Sequence, residues 1–290
     1  ARSFYAMMLS NFGLIFALGL LAWRLAQPKI HFLSDTGMYI VWGLLMCLFA
    51  WQAYQGYIVN KDVILGVKQY PPNERYEFGQ VALLELTYIT NFGSELAAVS
   101  MLPLFFEKTF TLDHHLASMI AASYPFLNLI SRPSGGLISD KLGSRKWTMT
   151  LISACIGFGY LLAFNINKDW ALPLAIAVTM LSAYFAQAGC GATYSIVPLI
   201  KKQITGQISG NVGAYGNFGG VIYLTILSLT DAKTLFATMG IMALICAFMC
   251  GFFLKEPPNS FATQYAETAP GEPGTENELI PESVMVKDDF

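Results

Sequence analysis

Arg132 lies inside a long apolar stretch, Leu116 to Ile138, from which a permanent positive charge should be expelled. A guanidinium at mid-bilayer costs roughly 2.5–3.5 kcal/mol on insertion scales. Deprotonation offers no escape, because its pKa stays above about 12. The charge therefore needs a partner, either a resident carboxylate or an anion that comes and goes. A guanidinium presents a planar fork of N–H donors, which fits two oxygens of a small anion better than an ammonium does.

The apolar stretch before it carries Glu85, Tyr88, Phe92 and Glu95. On an α-helix these four fall within an arc of about 80°, so they are expected on one face. Glu95 has apolar sequence on both sides, whereas Glu85 lies nearer an end. Carboxylates at this depth face a bundle interior or a watery cavity. They read either as structural partners of Arg132 or as groups able to carry a proton, since burial raises a carboxylate's pKa. Tyr124, Asn128, Arg132 and Gly136 recur every fourth residue and form a slanted polar and small stripe. A later run, Gly210-Asn-Val-Gly213-Ala-Tyr-Gly216-Asn217-Phe-Gly219-Gly220, places small residues and amides in an apolar segment. Glycine there permits close helix approach, and Asn211 and Asn217 supply hydrogen-bond donors. Gln187, Gly189, Gly191 and Tyr194 give a weaker signal of the same kind.

Gly136-Leu-Ile-Ser-Asp140-Lys-Leu-Gly143-Ser-Arg145-Lys146 is a charged turn between two apolar runs. Asp140, Arg145 and Lys146 there could lock one conformation and release in another, or the basic residues could simply fix topology. No HExxH, phosphate-cradling GxxxxGK[ST] or GxSxG pattern occurs, so no catalytic site, metal or cofactor is expected, and no nucleic-acid partner. His114 and His115 read as solvated. The five cysteines all sit in apolar runs without metal-ligand or disulfide spacing.

These residues need long helices to position them. The chain of 290 residues is 54% hydrophobic and 12% charged, with mean hydropathy +0.49. Soluble domains carry about 25% charge, so this is an all-α membrane chain. Eight stretches reach the roughly 20 apolar residues a span needs, near 5–23, 37–58, 80–105, 116–138, 147–165, 171–199, 208–229 and 233–254. The 59–77 loop, with Lys61, Lys68 and Arg75, is the natural boundary between residues 1–58 and 78–256. Lys141, Arg145, Lys146, Lys201 and Lys202 place their loops on the cytoplasmic side, and the C-terminus with them. Residues 257–290 hold one basic and seven acidic residues and read as a disordered cytoplasmic tail whose partner is unknown. The chain opens on Ala1 without a signal-peptide pattern, as a piece with its beginning upstream would.

The Gly136–Lys146 turn resembles the loop of the major facilitator superfamily, at its second-half position. Gly213-Ala-Tyr-Gly216-Asn217-Phe-Gly219-Gly220 resembles the second signature of its nitrate/nitrite porter family, in the wording of cyanobacterial-type permeases. Tyr88-Ile-Thr-Asn-Phe92-Gly-Ser and Ser131-Arg132-Pro-Ser-Gly135-Gly136 are similar to the same family. The resemblance covers about residues 78–256. It implies a helical bundle with about eight of twelve membrane helices, the N-terminal half largely missing, residues 1–58 being the end of that half and 78–256 the C-terminal half. It implies that Arg132 grips nitrate or nitrite, that Tyr88 donates a hydrogen bond, and that Phe92 lies against the planar anion. Asn217 and Gly213, Gly216 and Gly220 would shape the rest. Glu95 and Glu85 could couple transport to protons. The first signature and a second arginine are absent from this chain. A carrier of another small anion and a non-transporting membrane sensor or assembly subunit stay open as alternatives.

Overall fold

The computed structural model describes residues 2–28, 32–69, 71, 75–257 and 260–261. Among these, every regular element is helical. Beyond Pro257 almost all of the acidic tail lies outside the described residues, and with it the expectation of a solvated extension.

Two helices, α1 (Arg2–Ala26) and α2 (Asp35–Ile64), precede the bundle. The Ser34 hydroxyl starts α2 by accepting from the Gly37 N–H at 3.1 Å, which satisfies one of the donors a helix start leaves open. α2 runs six residues past the expected loop boundary at 59. The amide of Asn60 bonds the Gly56 carbonyl at 2.8 Å there, and Gly66, at φ +75°, follows the end.

Six rods follow. The first is α3 (Phe78–Tyr88), a π-helical turn (Ile89–Gly93) and α4 (Ser94–Phe110) in one continuous path. The second is α5 (His114–Phe126) and α6 (Asn128–Leu142), joined at Leu127. Then come α7 (Arg145–Phe164), α8 (Leu172–Ile200), a 3-10 turn (Lys202–Ile204) leading into α9 (Thr205–Leu229), and α10 (Ala232–Phe253). Seven of the helical segments are long and apolar enough to cross a membrane. The fourth expected span, 116–138, is two short helices of 13 and 15 residues. The Leu127 N–H still reaches the Ser123 carbonyl at 3.3 Å and the Leu127 carbonyl accepts from the Ser131 N–H at 2.9 Å. The two helices thus run on end to end, and only so do they reach the roughly 30 Å of a bilayer core.

Small residues let the rods touch. Gly157 on α7 and Gly240 on α10 face each other, each 3.1 Å from the other's carbonyl when a Cβ is placed on it. Gly93 of the π turn lies against the Gly219 backbone of α9. Without water between helices, such close van der Waals contact is what holds a membrane bundle. Around it packs a core including Phe105, Phe106, Met149, Ile156 and Phe236.

Candidate anion site

The break at Leu127 sets the height of Arg132. Asn128 opens α6 and Arg132 stands one turn later on the same face. Ser131 between them donates to the Gln187 side chain at 2.6 Å, and the Gln187 amide donates to the Tyr124 carbonyl at 2.8 Å, so α8 holds both sides of the break. Behind Arg132, α6 and α8 meet backbone to backbone. A Cβ on Gly191 would collide with the Arg132 carbonyl, and one on Gly135 with that of Ala188. The packing glycine of the Gly135-Gly136 pair is thus Gly135, while Gly136 faces open space. The expected stripe through Gly136 ends at Arg132.

The arginine is not alone. Its Nη2 donates to Glu95 Oε2 at 3.0 Å, its Nε donates to Asn128 Oδ1 at 2.9 Å, and Asn128 Nδ2 donates to Glu95 Oε1 at 2.6 Å. The three side chains close a ring of hydrogen bonds. The Cys190 thiol on α8 adds a weak donor to Glu95 Oε2 at 3.7 Å. Glu95 is buried to 6% side-chain exposure, whereas Arg132 keeps 38%. Among the described residues Nη1 makes no hydrogen bond, so the guanidinium presents a free N–H edge outward.

An aromatic wall flanks that edge. The guanidinium carbon lies 5.5 Å from the Phe92 ring centre, a cation–π distance. Tyr88 stacks on Phe92 at 5.2 Å and meets Tyr194 edge-on at 5.0 Å. Gly216 of α9 makes room for this pair, since a Cβ there would strike both the Tyr88 and Phe92 rings. A Cβ on Gly213 would reach the Tyr194 hydroxyl at 3.1 Å, and Gly220 backs onto Leu96. Asn217 is exposed and donates to the Gly213 carbonyl of its own helix at 3.1 Å rather than to the Arg132 cluster.

The two carboxylates part company. Glu85 is buried but lines a groove of about 530 Å3 with Tyr5, Leu9 and Tyr215, between α1, α3 and α9. The single-face expectation for Glu85 and Glu95 assumed an unbroken α-helix. The π turn adds a residue to one turn and rotates everything after it. Beneath Glu95 a polar spine runs through the bundle, with Tyr160 donating to Ser94 at 3.2 Å and sharing a 3.1 Å bond with Tyr124.

At one end of the bundle Asp140 and Arg145 pair at 3.1 Å, as the charged turn suggested. Lys146 does not join that pair; its ammonium lies 5.8 Å from the Trp147 ring centre. The turn is held instead by Glu256, which sequence reading missed. Its carboxylate accepts from the Ser144 hydroxyl at 2.7 Å and from the Arg145 and Lys146 N–H groups at 2.7 and 3.0 Å. An acid placed immediately after the last apolar run was the available signal. His114 pairs with Glu107 at 2.9 Å, and no cluster of three metal-ligating side chains occurs among the described residues.

Residues 84–285 match the family described as Major Facilitator Superfamily. The chain is 73% identical over 264 residues to the nitrate/nitrite transporter NrtP of Nostoc punctiforme, covering 91% of this chain and 53% of the relative. It is 51% identical over 277 residues to the protein of the same name from Picosynechococcus, covering 90% and 52%. High-affinity nitrate transporter 2.3 of Oryza sativa subsp. japonica is 34% identical over 178 residues, covering 57% and 33%. The chain spans about half the length of the first two relatives. Buried polar side chains among apolar helices, a charged turn between two of them and the match over most of their length agree: this is an integral, multi-pass membrane chain that belongs to the Major Facilitator Superfamily.

Proposed function

We propose that this chain forms part of a secondary carrier that moves nitrate or nitrite across a membrane by alternating access, and that it is not an enzyme. The observation that carries the reading is the free N–H edge of the part-exposed Arg132 beside the Tyr88–Phe92 stack. A planar monovalent anion fits that edge, with two oxygens on the fork and its face toward the aromatic wall. The names of the two cyanobacterial relatives support the same substrate class. In this reading α3 to α10 are the C-terminal half of the carrier, α1 and α2 close the half before it, and the Asp140–Arg145 pair is a gate on the cytoplasmic side of an inner or plasma membrane. Gly213 and Gly216 shape the site from α9, and Gly220 brings α9 close to the first rod. Asn217, exposed one residue after Gly216, would line the substrate path from the open side of α9.

Glu95 supplies the coupling. Arg132 and Glu95 together are neutral, so an arriving anion adds an uncompensated charge where charges are costly. A proton taken up by Glu95 removes that excess and releases Nη2 for the anion. Glu85, in its separate groove, is the lesser candidate for this role. The test is uptake of labelled nitrate and nitrite by the protein expressed from its full gene in a host lacking both activities. Wild type should give saturable uptake and Arg132→Lys almost none, while Glu95→Gln should flatten the pH dependence. Well-expressed wild-type protein that moves neither anion would sink the reading; unchanged pH dependence in Glu95→Gln would sink the coupling alone.

A further inference from the structure

We infer that Asn128 is a wedge that keeps Glu95 from neutralising Arg132 outright, and so holds the arginine available to the anion. The inference rests on the reading of Arg132 as the anion-binding group. Arginine and carboxylate side chains that meet freely often form two parallel N–H···O bonds. Arg132 and Glu95 form one, between Nη2 and Oε2. The second is displaced because the Asn128 amide stands in its place, accepting from Nε with Oδ1 and donating to Oε1 with Nδ2. The amide orientation follows from chemistry. Reversed, its oxygen would face the carboxylate and its NH2 the guanidinium, so that both contacts would repel.

The wedge has two consequences. It occupies the Nε side of the guanidinium, so the free edge is the one formed by Nη1 and the second Nη2 hydrogen. It also weakens the direct ion pair to a single bond that an anion can displace. Among the described residues, Asn128 alone is hydrogen-bonded to both Arg132 and Glu95 through its side chain. The groups gathered around Glu95 besides Asn128 and Arg132 are the Cys190 thiol from α8 and, below it, Tyr124 of α5 and Tyr160 of α7, linked through Ser94. Remove the amide and the carboxylate can slide onto Nε and Nη2 together, forming the paired geometry the native site lacks. Asn128 is thus a positioning residue, acting on the anion through Arg132.

The experiment reads Arg132 directly and without substrate. Phenylglyoxal labelling of Arg132, followed by mass spectrometry of its peptide, measures how free the guanidinium is in the membrane-embedded full protein. Asn128→Leu should label several-fold more slowly than wild type and bind nitrate about tenfold more weakly, the ratio one charge-assisted hydrogen bond represents. Adding Glu95→Gln to Asn128→Leu should restore both, because a neutral amide cannot trap the arginine. Asn128→Ala serves for the same comparison if the leucine variant does not accumulate. Equal labelling of wild type and variant overturns the wedge, and so does slow labelling that Glu95→Gln fails to relieve, since a merely disturbed structure would give that. Wild type that labels normally but binds neither nitrate nor nitrite overturns the carrier reading instead, and the labelling comparison still decides the role of Asn128.

Discussion

Single residues at this site act through what they exclude as much as through what they bond. Gly191 lets α8 lie against the carbonyl of Arg132, and a methyl group there has only backbone to push. Gly191→Ala should therefore cost about 1–3 kcal/mol, as overpacking typically does. It should also lower anion uptake by tilting α6. Gly136→Ala, facing open space, should be silent in both; equal losses for the two in thermal melts and uptake assays would contradict the packing described. His114 offers a second test outside the membrane segments. Its hydrogen bond to Glu107, and the charge of that carboxylate, raise its pKa above the ordinary 6.5. A raised folded-state value means the pair stabilises fully below the unfolded pKa, and the effect vanishes as pH rises through the folded one. His114→Asn should thus remove a small pH-dependent part of the melting midpoint seen on passing from acid to alkaline buffer. NMR titration of the imidazole reads the shift itself. Gly135 and Gly136 were both in view in the sequence, and the fourth-residue spacing pointed to Gly136; the packing role falls to Gly135 because only its Cβ position meets the backbone of α8.

Among the elements, the two irregular ones matter most. The π turn at Ile89–Gly93 aims Glu95 at α6 while Glu85 points elsewhere, and the break at Leu127 brings Asn128 to the head of α6. Deleting Ile89, which would let the first rod run as plain α-helix, should rotate everything beyond it by about 100°. The variant should still insert in the membrane yet bind no anion, measured by nitrate binding beside a surface-expression check; retained binding would show that the turn does not set the geometry. Hydropathy reads the length of both rods correctly and is blind to these defects. One added residue changes no average, and a helix interrupted at Leu127 has the same composition as an unbroken one.

For the molecule as a whole, the end of α10 is tied back to the rest of the bundle. Lys255 pairs with Glu77 at 2.7 Å, its N–H reaches Gln80 at 2.8 Å, and Glu256 caps α7. These contacts differ in worth. The Lys255–Glu77 pair is exposed on both sides and should contribute under about 1 kcal/mol. Glu256 receives three bonds, two of them from backbone N–H groups that a helix start leaves open. Glu256→Ala should lower the melting midpoint well beyond Glu77→Gln and loosen the Asp140 turn toward trypsin; equal effects would mean the cap carries no load. Membership of the superfamily rests on the match over most of the chain, and the six rods from α3 to α10 are the part of it that carries the charged turn, the glycine-rich helix and Arg132.

From the sequence alone came the membrane setting, the approximate position of each span and the presence of one costly arginine among apolar residues. Each follows from local composition, because a bilayer tests every segment of about 20 residues separately. The tertiary structure decided which partners that arginine has. It matched Glu95 rather than Glu85 to Arg132, set Asn128 between them, tied the Asn217 amide to the Gly213 carbonyl of its own helix and brought Glu256 to the charged turn. Those choices depend on helix rotation and on contacts between residues far apart in the chain, and neither rotation nor distant contact is written in the periodicity of any one helix.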